Sequence, residues 1–103
     1  MNRNEGLSVA RRVKTILLER GFPVRRVALF GSVARDEAHQ SSDIDIAVVC
    51  DPFRDSPMDE RVDIHLAGMD VDMRVETVTL HPEDFQRPFF TLAREIERTG
   101  IDV

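Results

Sequence analysis

Two aspartates, Asp43 and Asp45, stand one residue apart inside the apolar run "DIDIAVV". On a strand, residues two apart point to the same face, so the two carboxylates share one side while Ile44, Ile46 and Val48 take the other. Like charges this close repel unless something positive lies between them. A hard cation such as Mg²⁺, which takes oxygen donors, would resolve that repulsion. Upstream, the apolar run "VALF" ends in Gly31-Ser32. Gly31 permits a tight turn or close approach of a ligand, and Ser32 adds a hydroxyl. The amides that follow open a short helix, where a phosphate is favoured by free N–H groups. Arg35, one turn on, either reaches the same phosphates or holds the loop. A phosphate cradle beside an acidic metal pair is the equipment of phosphoryl or nucleotidyl transfer.

A third carboxylate from a neighbouring strand would complete a two-metal site. Glu76, in the apolar run "RVETVTL", is the leading candidate, because a lone charge there has no other evident purpose. Asp63 and Asp72 compete for the place from more polar surroundings. Arg74 shares a strand face with Glu76 by the period of two, and is expected to bridge the acidic cluster when no metal is bound.

The elements that must position these groups can be read from periodicity. "LSVARRVKTILLERG" carries apolar residues at helical spacing, predicting a helix over Leu7–Arg20 that stops at Gly21 and Pro23. "VRRVALF" and "IDIAVVC" read as strands, with a short helix over Ser32–Ala38 between them. A loop with two prolines follows, then a short, weakly marked helix near Glu60–Met69. "MDVDMRVETVTL" alternates toward a third strand. "HPEDF" opens a helix with proline in its first position, Pro88 interrupts it, and Phe89–Arg98 continues as helix before a terminal "IDV". The expected fold class is α/β (α+β): a small mixed sheet flanked by helices, forming one domain over 1–103.

Composition narrows the function. The chain has 103 residues, with 42% hydrophobic and 32% charged, an ordinary globular balance. No apolar run approaches the roughly 20 residues of a membrane span, and the first residues lack a secretory signal, so a cytoplasmic protein is expected. Net charge is -5, from 19 acidic and 14 basic residues, which disfavours nucleic acid as a partner. Cys50 is the only cysteine, so no intrachain disulfide can form, and it reads as a small apolar residue at a strand end. His39, His65 and His81 lack metal-ligand spacing and read as surface or capping residues. Phe85, Phe89 and Phe90 read as core or partner surface.

Gly31-Ser32-x-Ala34-Arg35 followed after seven residues by Asp43-Ile44-Asp45 resembles the nucleotidyltransferase signature of the polymerase-β superfamily. Within it, the chain resembles the minimal stand-alone nucleotidyltransferases of prokaryotes, from about Val24 to the end. The resemblance implies a nucleoside triphosphate, with ATP the expected donor, bound through Mg²⁺. Asp43, Asp45 and Glu76 would be catalytic metal ligands, with Gly31, Ser32, Arg35 and Ser42 binding the nucleotide. Glu76 matches a position that is commonly aspartate. The implied reaction is attack of an acceptor on the α-phosphorus with loss of pyrophosphate. Small members of the family are often encoded beside a helical HEPN-type RNase toxin. The resemblance therefore also implies an antitoxin-type binding module, or a homo-oligomer, as the alternative to an enzyme whose acceptor is small or is the partner toxin itself.

Overall fold

The protein is described here from a computed structural model, which describes residues 1–38 and 43–103. Four strands form one mixed sheet in the order β3-β2-β1-β4. β1 (Val24–Phe30) and β2 (Ile44–Cys50) run antiparallel, and β3 (Val75–Leu80) pairs parallel with β2. The two-residue β4 (Ile101–Asp102) closes the other edge, antiparallel to β1.

Alternation along the central strands divides the core into two layers. Ile44, Ile46, Val48 and Cys50 of β2 join Val27 and Leu29 of β1 beneath α1 (Arg3–Glu19) and α3 (Pro57–Val71). The opposite face of the sheet, with Ala28, Phe30, Ala47, Val49 and Leu80, packs against Ala93 and Ile96 of α4 (Thr91–Thr99). The cysteine is fully buried, and burial together with Glu60 and Asp51 pushes its thiol up to about 11. It packs as the apolar residue its sequence position implies.

The helix boundaries differ from the periodicity in informative ways. α1 begins four residues early because the Asn2 side chain accepts the Glu5 N–H at 2.8 Å and caps the first turn. α2 spans only Gly31–Ala34, and Asp36, at φ 60°, turns the chain left-handed where the helix was expected to continue. α3 runs for 15 residues rather than as a short helix near Glu60–Met69, starting from Ser56 with Pro57 in its first turn. "HPEDF" forms a 3₁₀ segment over Pro82–Gln86, with His81 as its N-cap. Phe89, at φ 62°, lies outside α4, which begins at Thr91.

Candidate functional site

Three strand ends bring the candidate acids together. Phe30, the last residue of β1, is paired with Asp45. Asp45 is in turn paired with Glu76 on the parallel neighbour. The C-terminal end of β1 therefore meets the N-terminal ends of β2 and β3. Asp45 and Glu76 alternate with Ala47 and Val78, so they stand at the rim of the smaller core layer, on the α4 side. Asp43 precedes β2 and is exposed.

Mutual repulsion is visible in the electrostatics. Hydrogen bonding with the Asp43 carboxylate, then the Asp43 charge, burial and the Asp45 charge hold the Glu76 carboxyl above the usual range, while His65 acts the other way. Burial, then the charges of Asp43 and Glu95, also raise Asp45, with Arg35 drawing it back. Three carboxylates press on one another and gain from a positive partner. They supply only oxygen donors, which suits a hard divalent cation. Among the described residues, no three acidic, histidine or cysteine side chains are already gathered around one point as they would be about a bound ion.

The Gly31 turn is shaped by the same cluster. Gly31 has φ +73°, and a Cβ built there would fall on Asp45 Oδ2. Only glycine lets the β1–α2 turn lie directly against this carboxylate. Arg3 fastens the turn from outside: its N–H donates to Asp36 Oδ1 at 3.0 Å and its Nε to the Ala34 carbonyl at 2.7 Å. Ser32 is half-buried in the turn. Arg35 is shared between Glu37 at 3.2 Å and Glu95 at 3.9 Å, and its charge draws the Asp45 carboxyl down.

Glu95 was not evident from the sequence. It lies on α4, far from the motif in the chain, and reaches the cluster only because α4 packs across the sheet. The two competitors for Glu76 are committed elsewhere. Asp63 accepts from Arg54 at 2.8 Å. Asp72 is held below the usual carboxylate range chiefly by the Arg74 guanidinium, whose Nη2 lies 2.8 Å from Asp72 Oδ2. This corrects the expectation for Arg74. It precedes β3, so the period of two does not reach it, and it pairs with Asp72 rather than bridging the acidic cluster. His81 caps the 3₁₀ segment and bonds Glu60, away from the cluster. Ser42 and His39 lie outside the described residues.

A family model for the nucleotidyltransferase domain matches residues 10–98. Among solved structures, the fold is similar to a protein assigned as a nucleotidyltransferase from Sulfolobus solfataricus, with TM-score 0.68 and 18% identity, covering 97% of this chain and 80% of that one. It is also similar to one assigned as a minimal nucleotidyltransferase, with TM-score 0.64 and 24% identity, covering 100% and 97%. A toxin–antitoxin structure with AMP-PNP aligns with TM-score 0.63 and 19% identity, over 99% of this chain and 72% of that one. At these identities the likeness is one of fold. No curated protein sequence matches.

Proposed function

Because this chain belongs to the nucleotidyltransferase domain family, we propose that its nucleotidyl transfer is metal-dependent and runs on Asp43, Asp45 and Glu76. ATP is the proposed donor, Mg²⁺ the proposed cofactor, and the whole of 1–103 one catalytic domain. The observation that carries this reading is the strand register that sets Asp45 beside Glu76, with the side-chain-free Gly31 turn against Asp45.

Mg²⁺ held by these carboxylates would offset the triphosphate charge and polarise the α-phosphate. The residues of the chain do the rest. Gly31 lets the turn lie against Asp45, Ser32 donates its hydroxyl to a phosphate oxygen, and Arg35 exchanges its two glutamates for phosphate oxygens. Ser42, one residue before the acidic pair, is assigned to the same phosphate contacts. As the acceptor oxygen bonds to the α-phosphorus, the bond to pyrophosphate breaks. The acceptor's proton passes to a carboxylate of this set, with Glu76 the proposed receiver.

The acceptor is proposed to be a partner protein. Met58, Val62 and Leu66 are exposed at four-residue intervals on α3, an apolar stripe left without cover in the isolated chain. That stripe equally supports the second reading, an antitoxin-type module that binds a helical partner with little turnover. A toxin–antitoxin structure with AMP-PNP among the structural neighbours supports a protein partner for this fold.

Calorimetric titration of ATP with Mg²⁺, and again with EDTA, tests the site. Binding is expected with the metal only, and is expected to vanish in Asp43→Asn/Asp45→Asn. Retained binding in that folded variant would remove the nucleotide from this cluster. Label transfer from α-labelled ATP to a partner then separates enzyme from module.

A further inference from the structure

The first turn of α1 and the end of α2 cap each other. The opening N–H groups of a helix and its closing carbonyls have no partner within the helix and must find one outside it. At the start of α1, the Arg3 N–H donates to Asp36 Oδ1 at 3.0 Å. At the end of α2, the Ala34 carbonyl accepts from Arg3 Nε at 2.7 Å. Arg3 thus grips the same turn twice, once from its backbone and once from its side chain. The Asp36 carboxylate stands in return at the N-terminal end of α1, where the helix dipole favours negative charge.

All four carbonyls of α2 have donors. The Arg35 N–H donates to Gly31 at 3.2 Å, the Asp36 N–H to Val33 at 3.1 Å and the Glu37 N–H to Ser32 at 2.8 Å. The chain just downstream holds these three. The fourth, Ala34, depends on Arg3, 31 residues upstream. Asp36 has φ 60°, a left-handed conformation that is costly for a residue with a side chain and persists only where its surroundings hold it. The bond from Arg3 to its carboxylate is such a hold.

A second contact docks the same two elements. Gly6, one turn along α1 from Arg3, is buried, and a Cβ built there would overlap Val33 Cγ1. α1 therefore lies against α2 with no side chain of its own between them. Val33 is itself 1% exposed. Val33 adjoins Ser32, and Arg35 lies between Ala34 and Asp36. Each fixed point is thus next in the chain to a residue assigned above to the triphosphate.

We propose that Arg3 and Asp36 are positioning residues for the nucleotide. By capping α1 and α2 against each other, they hold the Gly31–Arg35 turn in the shape that receives the triphosphate, and they act through Ser32 and Arg35. This role rests on the nucleotidyltransferase reading of that turn.

Calorimetric titration of ATP with Mg²⁺ should compare the full natural chain with Arg3→Ala, Asp36→Gly and Asp36→Asn. Asp36→Gly keeps the left-handed backbone and deletes the acceptor, whereas Asp36→Asn removes the same charge but keeps an acceptor oxygen. Arg3→Ala and Asp36→Gly are expected to bind about three- to tenfold more weakly, the size of a lost hydrogen bond. Asp36→Asn is expected to bind at least as tightly as the natural chain. A charge effect alone would tighten binding in both Asp36 variants, so tighter binding in Asp36→Gly would overturn the proposal. Amide exchange without nucleotide is the second readout. In Arg3→Ala it should quicken by about fivefold or more at Asp36 and Glu37, with the β1 and β2 amides unmoved. Unchanged exchange at those two amides, or a uniform acceleration through the sheet, would also sink the role. A natural chain that binds no ATP overturns the reading of the site and this role with it. Natural affinity in Arg3→Ala overturns this role alone.

Discussion

Gly31 is where backbone conformation and electrostatics meet. Its φ of +73° is costly for any other residue, and the space a side chain would need is filled by Asp45. Gly31→Ala should therefore destabilise by roughly 1–3 kcal/mol and abolish metal-dependent ATP binding, read by thermal unfolding and calorimetry. Ser32→Ala, which keeps the backbone, should weaken ATP binding without a comparable loss of stability. Glu95 acts at the same scale. It stands 3.9 Å from Arg35 and adds negative charge near Asp45. Glu95→Gln should free Arg35 and tighten ATP binding by about two- to fivefold, the size of a weak exposed ion pair. Weaker binding in that variant would show that Glu95 contributes to the site rather than restraining it.

At the scale of elements, the start of α3 shows why local signals must be read together. Ser56, Pro57 and the acids Asp59 and Glu60 form a helix-opening pattern, yet the helix has apolar residues on several sides and so shows no clean amphipathic period. Ile64 and Ala67 face the core while Val62 and Leu66 face outward. Glu60 ties this helix start to the preceding loop and to the end of β3. Glu60→Ala would strand two backbone N–H groups and the His81 ring in a buried place. It should cost about 3 kcal/mol and lower the melting midpoint by roughly 15 °C for a chain of this size. A drop of only a degree or two would show that water replaces the carboxylate.

For the whole molecule, stability at neutral pH is a contest between two sets of carboxylates. Asp45 and Glu76 have raised proton affinities in the folded state. Their contribution is fully present below the ordinary carboxylate value near about 4, and is lost as pH rises through their folded values. Glu60 has a lowered value, so its contribution is present above the ordinary value and is lost as pH falls through the folded one. In EDTA at pH 7.5, Asp43→Asn/Asp45→Asn should therefore melt higher than the natural chain, and the gap should close toward pH 4. Mg²⁺ should raise the midpoint of the natural chain at pH 7.5 and leave the double variant unmoved. Equal midpoints at every pH would mean that the cluster is relaxed by solvent and does not call for a metal.

The strands that carry the motif were legible in the sequence. β1 and β2 occupy the expected spans, because alternating Ile, Val and Asp residues can bury only one face. The sequence also pointed to Asp43, Asp45 and Gly31, whose spacing is local and whose chemistry is unusual for an apolar run. Glu76 was already the leading third acid on sequence grounds, and the fold is what separates it from its competitors. Glu76, Asp63 and Asp72 are all carboxylates on marked elements, and only the parallel pairing of β3 with β2 sets Glu76 beside Asp45, while two arginines claim the others. Glu95 and the buried Glu60–His81 pair were equally beyond sequence reading. Each depends on side chains brought together from distant parts of the chain, and hydrophobic periodicity reports which face is buried but not what lies across from it.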